Sequence, residues 1–303
     1  MKYTISSLII GIALICYWQC SLAHSSHTSK HSKMTKLIQV RDSIYYIEGH
    51  GGNIGVLKGD EGIVLIDDQF EHQYEAIISA LTTISKAPVK YVINTHWHVD
   101  HTNGNEKFGA LGSDIIAHSN SHKRMTTDQF INVFNHHQKP YSEKGLPKMS
   151  FNQDMELRIN QETIHLFHVK NAHTDGDIIV HFKKHNVIHT GDVFVTYGYP
   201  FIDEPNGGTI HGVIAAIEKL LLVSDSNTLI IPGHGHLSKK EDLEEYLLML
   251  KTILTRIEKQ MALKKNLAEI IATNPTSGYS SQKINKAIFV EIIVNNLTKL
   301  ANE

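Results

Sequence analysis

Residues 94–105 read NTHWHVDHTNGN, with three histidines and an aspartate within six positions directly after the apolar run YVI. Packing gives no reason for such a cluster. Metal chemistry does, because neutral imidazole and carboxylate are donors that suit zinc, iron and manganese. His96 and His98 flank one residue, so in an extended segment both rings point toward one ion. Asp100 and His101 lie one step further and can face a second.

Three later loops carry more donors, each after an apolar, strand-like run. IHLFHVKNA leads to His173, NVIHTG to Asp192 and LIIPG to His234. Four strand ends thus offer seven ligands, and a metal site needs the rigidity that strand ends provide. His173 gives the first ion three imidazoles. Asp100, His101 and His234 form a second set, and Asp192 has two carboxylate oxygens with which to bridge. Two cations about 3.5–4 Å apart can share a hydroxide and polarise a substrate carbonyl or phosphoryl oxygen, and a zinc-bound water has its pKa lowered to about 7. Asp100 and Asp192 are therefore candidates for catalysis as well as ligation. HxH alone is a weak signal; HxHxDH after a strand, followed in order by His173, Asp192 and His234, is a strong one. Of the 21 histidines, His118, His165, His168, His181, His185, His189 and His211 have no such spacing and are read as structural. His236 is read as facing solvent.

HWHVDH, NAHTDGD, HTGD and PGHG together resemble the metallo-β-lactamase superfamily, over about residues 37–250. The resemblance implies an α+β fold, the αββα sandwich: two mixed β-sheets flanked by helices, with a dinuclear site at one edge. It implies His96, His98 and His173 as ligands of one metal, Asp100, His101 and His234 as ligands of the other, and Asp192 as the bridge. Asp67, which ends GIVLID, resembles the family's first acidic position, an outer or structural group. In one class of zinc β-lactamases a cysteine stands where this chain has Asp192, whereas HTGD is closer to hydroxyacylglutathione hydrolases and lactonases. With GHGGNIGV and DDQF, the layout is most similar to secreted hydrolases of the β-lactamase-like or cyclase-like branch.

The elements that must position these residues follow from hydrophobic periodicity. KLIQVRDSIYYIEG and NIGVLKGDEGIVLIDD predict a four-strand meander. Helices are expected at about 72–86, 119–128 and 210–222, then a long one carrying Leu243, Leu247, Leu250, Leu254, Ile257 and Met261, and a last at about 283–300. VKYVINT, DIIAHS, ETIHLFHV, DIIVHFK, NVIHTGD and TLIIPGHG are expected strands. Residues 126–153 are irregular and suggest an insertion or lid. Two similar halves result, with their sheets packed together and helices outside.

Residues 1–23 resemble a secretory leader: Lys2, the apolar run LIIGIALICYW, and SLA before an expected cut after Ala23. The apolar run is shorter than the roughly 20 residues that span a bilayer. An exported chain, periplasmic or secreted, with no lasting membrane insertion is expected. Residues 24–36 read as a polar linker and 37–303 as one domain, its core 37–250 and its C-terminal helices 251–303. Both cysteines, Cys16 and Cys20, fall in the leader, which leaves only nitrogen and oxygen ligands. With 20% charged residues, a net charge of -2 and no basic stretch, no nucleic-acid partner is expected. A small-molecule substrate is expected.

The leading expectation is a zinc-dependent hydrolase, two Zn2+ per chain with iron or manganese as alternatives, in which a metal-bridging hydroxide attacks the carbonyl of a β-lactam or lactone. A thioesterase of the glyoxalase II kind or a phosphodiesterase could use the same centre. A mononuclear iron oxygenase or a non-catalytic metal binder is the reading from another class. Tyr197, Tyr199 and Asn53 are candidate contacts for substrate or a developing oxyanion. GHGGN (49–53) is a turn or a cover for the pocket, and Lys139 and Lys170 could meet a substrate carboxylate.

Overall fold

From Lys36 the chain forms an antiparallel meander: β1 (Lys36–Arg41), β2 (Ile44–Glu48), β3 (Ile54–Leu57) and β4 (Ile63–Ile66). α1 (Tyr74–Thr82) carries it to β5 (Val89–Ile93), parallel to β4. Two short helices, α2 (Val99–Thr102) and α3 (Asn105–Ala110), lead to β6 (Asp114–His118), parallel to β5. α4 (Ser119–Met125) precedes a two-stranded ribbon, β7 (Gln129–Ile131) and β8 (His136–Gln138). β9 (Met149–Phe151) then completes a seven-stranded mixed sheet in the order β1-β2-β3-β4-β5-β6-β9. The structure, a computed structural model, describes residues 35–131 and 134–302. The expected leader and all of the linker before residue 35 lie outside the described residues.

A second mixed sheet has five strands in chain order: β10 (Asp154–Ile159), β11 (Glu162–His168), β12 (Ile178–Phe182), β13 (Val187–His189) and β14 (Leu229–Ile231). β13 and β14 are parallel because α5 (Ile210–Val223) crosses between them. α6 (Lys240–Ala262), α7 (Leu267–Ala272) and α8 (Lys286–Asn302) finish the chain.

Strand periodicity sorts the side chains into layers. Ile44, Tyr46, Val64 and Ile66 meet Leu166, Ile178, Val180 and Phe182 in the core between the sheets. Their neighbours Tyr45, Ile47, Ile63 and Leu65 face outward, against Ile77 and Leu81 of α1 and Phe108 of α3. On the far side, Phe167, Ile179, Ile188 and Ile230 pack under α5, α6 and α8, through Val213, Ile217, Leu250, Ile257, Phe289 and Ile293. The expected order of helix, sheet, sheet, helix is therefore the order observed.

Three local expectations change. Residues 126–153 are not merely irregular: they hold the ribbon and a strand that lengthens the first sheet. β10 is a strand that the sequence reading passed over; its pattern alternates half-buried and exposed residues, as befits an edge. α7 was also missed, although Asn266 and Glu269 form a reciprocal capping box, worth about 1 kcal/mol. Among the described residues, no helix is long and apolar enough to cross a membrane.

Candidate metal centre

The motif after β5 changes conformation halfway along. His98 is extended, with φ -63 and ψ 146, and Val99 begins the single turn of α2. Extended backbone therefore sends His96 and His98 to one side while Trp97, fully buried, anchors the loop in the core. The helical turn then swings Asp100 and His101 toward a neighbouring point. Asn94 and Asn105 clasp the two ends of this segment, each amide donating to the other at 3.0 and 2.9 Å. The strand ends of β13 and β14 and the loop after β11 bring in Asp192, His234 and His173. All seven predicted residues converge. Ligand atoms of His96, His98 and His173 lie within 4.8 Å of one another, as do those of Asp100, His101 and His234. The partition is not clean, because His96 groups equally with His101 and Asp192.

Hydrogen bonds fix which nitrogen of each ring is bare. His173 Nδ1 lies 2.9 Å from the carbonyl of Phe201, which can only accept, so Nδ1 carries the hydrogen and Nε2 does not. His98 Nε2 donates to Asp203 Oδ2 at 2.9 Å, which leaves Nδ1 bare. Thr95 Oγ1 donates to Asp67 Oδ2 at 2.7 Å and so accepts from His96 Nδ1 at 3.1 Å. His96 Nε2 is buried with no hydrogen-bond partner at all. His98 Nδ1 and His173 Nε2 thus turn two lone pairs on each other at 2.9 Å, with the orphaned His96 nitrogen beside them. Two acceptors at that separation repel unless a cation lies between them. This is the arrangement that a metal ion fits and that a packed core avoids.

Charge separates the two groups. Burial first, then the other histidines, hold His96 well below the usual imidazole value, and the same causes bring His173 down to about 4. Both are neutral at pH 7, as ligands must be. In the second group burial opposes protonation, yet Asp192, Asp100 and Asp67 push His101 up, and Asp192 and Asp100 bring His234 to about 9. His101 Nε2 stands 3.1 Å from Asp192 Oδ1 and 3.8 Å from Asp100 Oδ2. His234 Nε2 stands 3.2 Å from Asp100 Oδ2 and 3.3 Å from Asp192 Oδ2, whose distance to His173 Nε2 is 3.9 Å. Asp192 therefore touches both groups, as a bridge would.

Asp67 supports both sides from below. It accepts from Thr95 N at 2.7 Å and from Thr95 Oγ1, and it meets His101 Nδ1 at 2.7 Å. Its φ of 64° is uncommon for a non-glycine residue and is held by these bonds. Two glycines allow the loops to close on the ligands. A methyl group on Gly52 would overlap the His101 ring, and one on Gly233 would overlap the Asp192 carboxylate.

The substrate-side candidates divide. Asn53 is buried and its amide donates to Pro232 O and Gly235 O, both at 2.9 Å, so it straps the His234 loop and is not free for substrate. GHGGN is correspondingly no mobile cover: Gly51, Gly52 and Asn53 are buried, and Gly52 N donates to Asp100 O at 3.0 Å. Tyr199 is buried and stacks on Phe289 at 4.6 Å, which makes it part of the core. Tyr197 is half-buried with its ring 6.1 Å from that of His234. Burial, then the charge of Asp192, holds its hydroxyl well above the usual phenol value, so it keeps its proton. Lys139 is paired with Asp128 at 2.9 Å, and Lys170 is exposed.

Several supporting residues were invisible in the sequence. Asp203 carries no motif, yet it orients His98. Asn206 Nδ2 donates to Asp203 Oδ2 at 2.8 Å, and Arg124 donates to Asn206 Oδ1 at 2.6 Å while gripping Asp175 with two bonds of 2.8 and 2.7 Å. His189, read as structural, bonds Asn53 O at 3.0 Å and accepts from Gly191 N at 3.2 Å, so it ties two site loops together.

The metallo-beta-lactamase superfamily model matches residues 47–234. A metallo-beta-lactamase type 2 from Bacillus sp. (strain 170) is 22% identical over 236 residues, 77% of this chain and 86% of that protein. The solved metallo-beta-lactamase from Pontibacter korlensis superposes with a TM-score of 0.58 at 17% identity, over 72% of this chain and 99% of that one. A double mutant of the sec-alkyl sulfatase PisA1 gives 0.63 at 16% identity, over 79% of this chain and 45% of that one. With the fold, the order of the motifs and their convergence on one centre, the chain belongs to the metallo-beta-lactamase superfamily.

Proposed function

We propose that this chain is a zinc-dependent hydrolase, two ions per molecule, acting on a carbonyl compound of the β-lactam or lactone kind. The observation that carries the proposal is the set of three bare imidazole nitrogens, adjoining a carboxylate-rich group through Asp192. A pair of divalent cations bound there supplies a water that is nucleophilic at neutral pH and an electrophile for the carbonyl oxygen.

The protein's own groups do the rest. His96, His98 and His173 would hold one ion through their bare Nε2, Nδ1 and Nε2, and Asp100, His101 and His234 would hold the other. Asp192 and Asp100 present carboxylate oxygens at the junction, where a proton leaving the attacking water can be taken up. Tyr197 keeps its hydroxyl hydrogen and donates it to the oxygen on which negative charge develops. Asp203, Thr95 and the Phe201 carbonyl keep each imidazole turned the right way. The leader-like residues 1–23 support export of the mature enzyme.

The test is a substrate panel on metal-loaded protein: β-lactams, lactones, thioesters, phosphodiesters and a secondary alkyl sulfate. Hydrolysis of the cyclic amides or esters is expected, with loss on chelation and recovery with zinc. Turnover confined to thioesters or phosphodiesters would replace the substrate assignment, and turnover that survives chelation would overturn the mechanism.

A further inference from the structure

A second cluster of chemistry-bearing side chains lies at the opposite end of the sandwich. Three turns meet there: Ser43 precedes β2, Glu162 opens β11 and His185 precedes β13. The same strands lead away from it to the metal centre. β2 runs toward Gly52, which presses on His101, while β11 leads to His173 and β13 to Asp192. β11 alone, seven residues at about 3.3 Å each, sets the two clusters about 20 Å apart.

Hydrogen bonds place the three side chains in series. Ser43 Oγ lies 3.0 Å from His185 Nε2, its one hydrogen-bond partner among the described residues. Glu162 Oε2 meets His185 Nδ1 and accepts from the His185 backbone N–H. The other oxygen, Oε1, accepts from Thr163 N at 2.7 Å and Lys184 N at 2.9 Å. With N–H donors on both oxygens the carboxylate acts as an acceptor, so Nδ1 carries the ring hydrogen. Nε2 of the neutral ring is then bare and turned to the Ser43 hydroxyl. The Glu162 side chain has no exposed surface, whereas Ser43 is half-buried and opens to solvent. Arg41 locks the histidine turn, with Nη1 donating to His185 O and Nη2 to Asn227 O, both at 2.8 Å. Among the described residues the Ser43 N–H donates to no other group, so it is free to meet an oxyanion formed there. A clasp between turns needs one hydrogen bond. A nucleophile needs a base on it and an acceptor behind the base, and these three side chains supply both.

We propose that Ser43, His185 and Glu162 form a second reactive centre, independent of metal, in which Ser43 is a nucleophile that can be acylated. Exposed Asp42, Lys183 and Lys184 flank it, so the site is open and relies on a good leaving group. Its substrates are small activated carboxylic esters, of the phenyl ester kind. Ser43 Oγ bonds to the ester carbon while its proton passes to His185 Nε2. The bond to the phenoxide oxygen breaks, and the phenoxide leaves with that proton. Water, giving a proton to His185, then attacks the acyl-serine. The carboxylic acid departs and the proton returns to Ser43 Oγ. Glu162 is a positioning residue and touches only the imidazole.

The experiment treats the zinc-loaded full chain with a fluorophosphonate, which bonds to a reactive serine as fluoride leaves, and locates the adduct by peptide mass mapping. One phosphonyl group per chain on Ser43 is expected, and none at that position in Ser43→Ala. His185→Ala should slow labelling about a hundredfold or more, and free imidazole in the buffer should restore part of the rate. Glu162→Gln should slow it about tenfold or more, with Glu162→Asp losing less. Phenyl acetate should acetylate the same serine. The wild-type map decides by itself whether Ser43 is reactive, so the proposal stays testable if a variant fails to fold. An unlabelled Ser43, labelling no faster there than at other serines, or a folded His185→Ala that keeps the wild-type rate would overturn it. The metal centre stands under each of those results.

Discussion

The two halves of the centre are built from opposite materials. His96, His98 and His173 are three buried rings, oriented by the Thr95 hydroxyl, the Asp203 carboxylate and the Phe201 carbonyl. Asp100, His101, His234 and Asp192 mix carboxylates with histidines, and the side chains of Asp100 and His234 remain 28% and 22% exposed. Without a cation the first half is left with facing lone pairs, whereas the second balances its own charge by protonating histidines. The first is therefore a preformed nitrogen site with no internal substitute for a metal. In the second, a cation must compete with protons.

The contrast is broken most severely by removing a ligand from each half. His98→Ala and Asp100→Ala should each lower turnover by a factor of about a hundred or more while the protein still folds. Metal analysis should distinguish them: His98→Ala empties the histidine half, and Asp100→Ala leaves it filled. Equal metal content in both variants would erase the distinction.

Asp203→Asn is the next step down. It weakens the acceptor that orients His98, at a distance of 105 residues in the chain. An outer partner of this kind is worth about 10–100-fold in metal affinity. Competition with a chromophoric chelator should show that loss for one ion and not the other.

Acid and alkali probe the same asymmetry in metal-free protein. His173, depressed to about 4, penalises the fold as pH falls from the free imidazole value toward 4. His234, raised to about 9, stabilises the fold fully below the free imidazole value and loses that contribution as pH rises through 9. Melting temperature should therefore decline on both sides by a few degrees, and zinc should remove the alkaline decline because it replaces the proton. A melting temperature independent of pH across both windows would contradict the charge assignment.

Arg124→Lys should have the smallest effect. Lysine cannot reproduce the two-pronged grip on Asp175 while also reaching Asn206. Metal affinity of the histidine half should fall by less than about tenfold, with little change in the other half.

What was legible in the sequence was whatever lay next to a strand end. HxHxDH, His173, Asp192 and His234 each follow an apolar run, so chemistry and position could be read together. Asp203 and Arg124 were hidden because their partners are remote in the chain and their local sequence is ordinary. Tyr199 looked like a site residue from its nearness to Asp192, but the ring it stacks on belongs to α8. GHGGN could be read as a turn or as a cover for the pocket; in three dimensions the missing side chains are what let that backbone press on His101 and Asp100. The fold was legible because alternation in the strands and the helical stripes agree with one layered packing. β10 and the ribbon escaped because their strands are short, edge-like or weakly apolar.

The most direct test of the central claim is anomalous scattering at the zinc edge from crystals of the zinc-loaded protein. Two peaks are predicted, one among His96, His98 and His173 and one among Asp100, His101 and His234, with the Asp192 carboxylate between them. No peak there, or zinc bound elsewhere with these side chains bare, would contradict it.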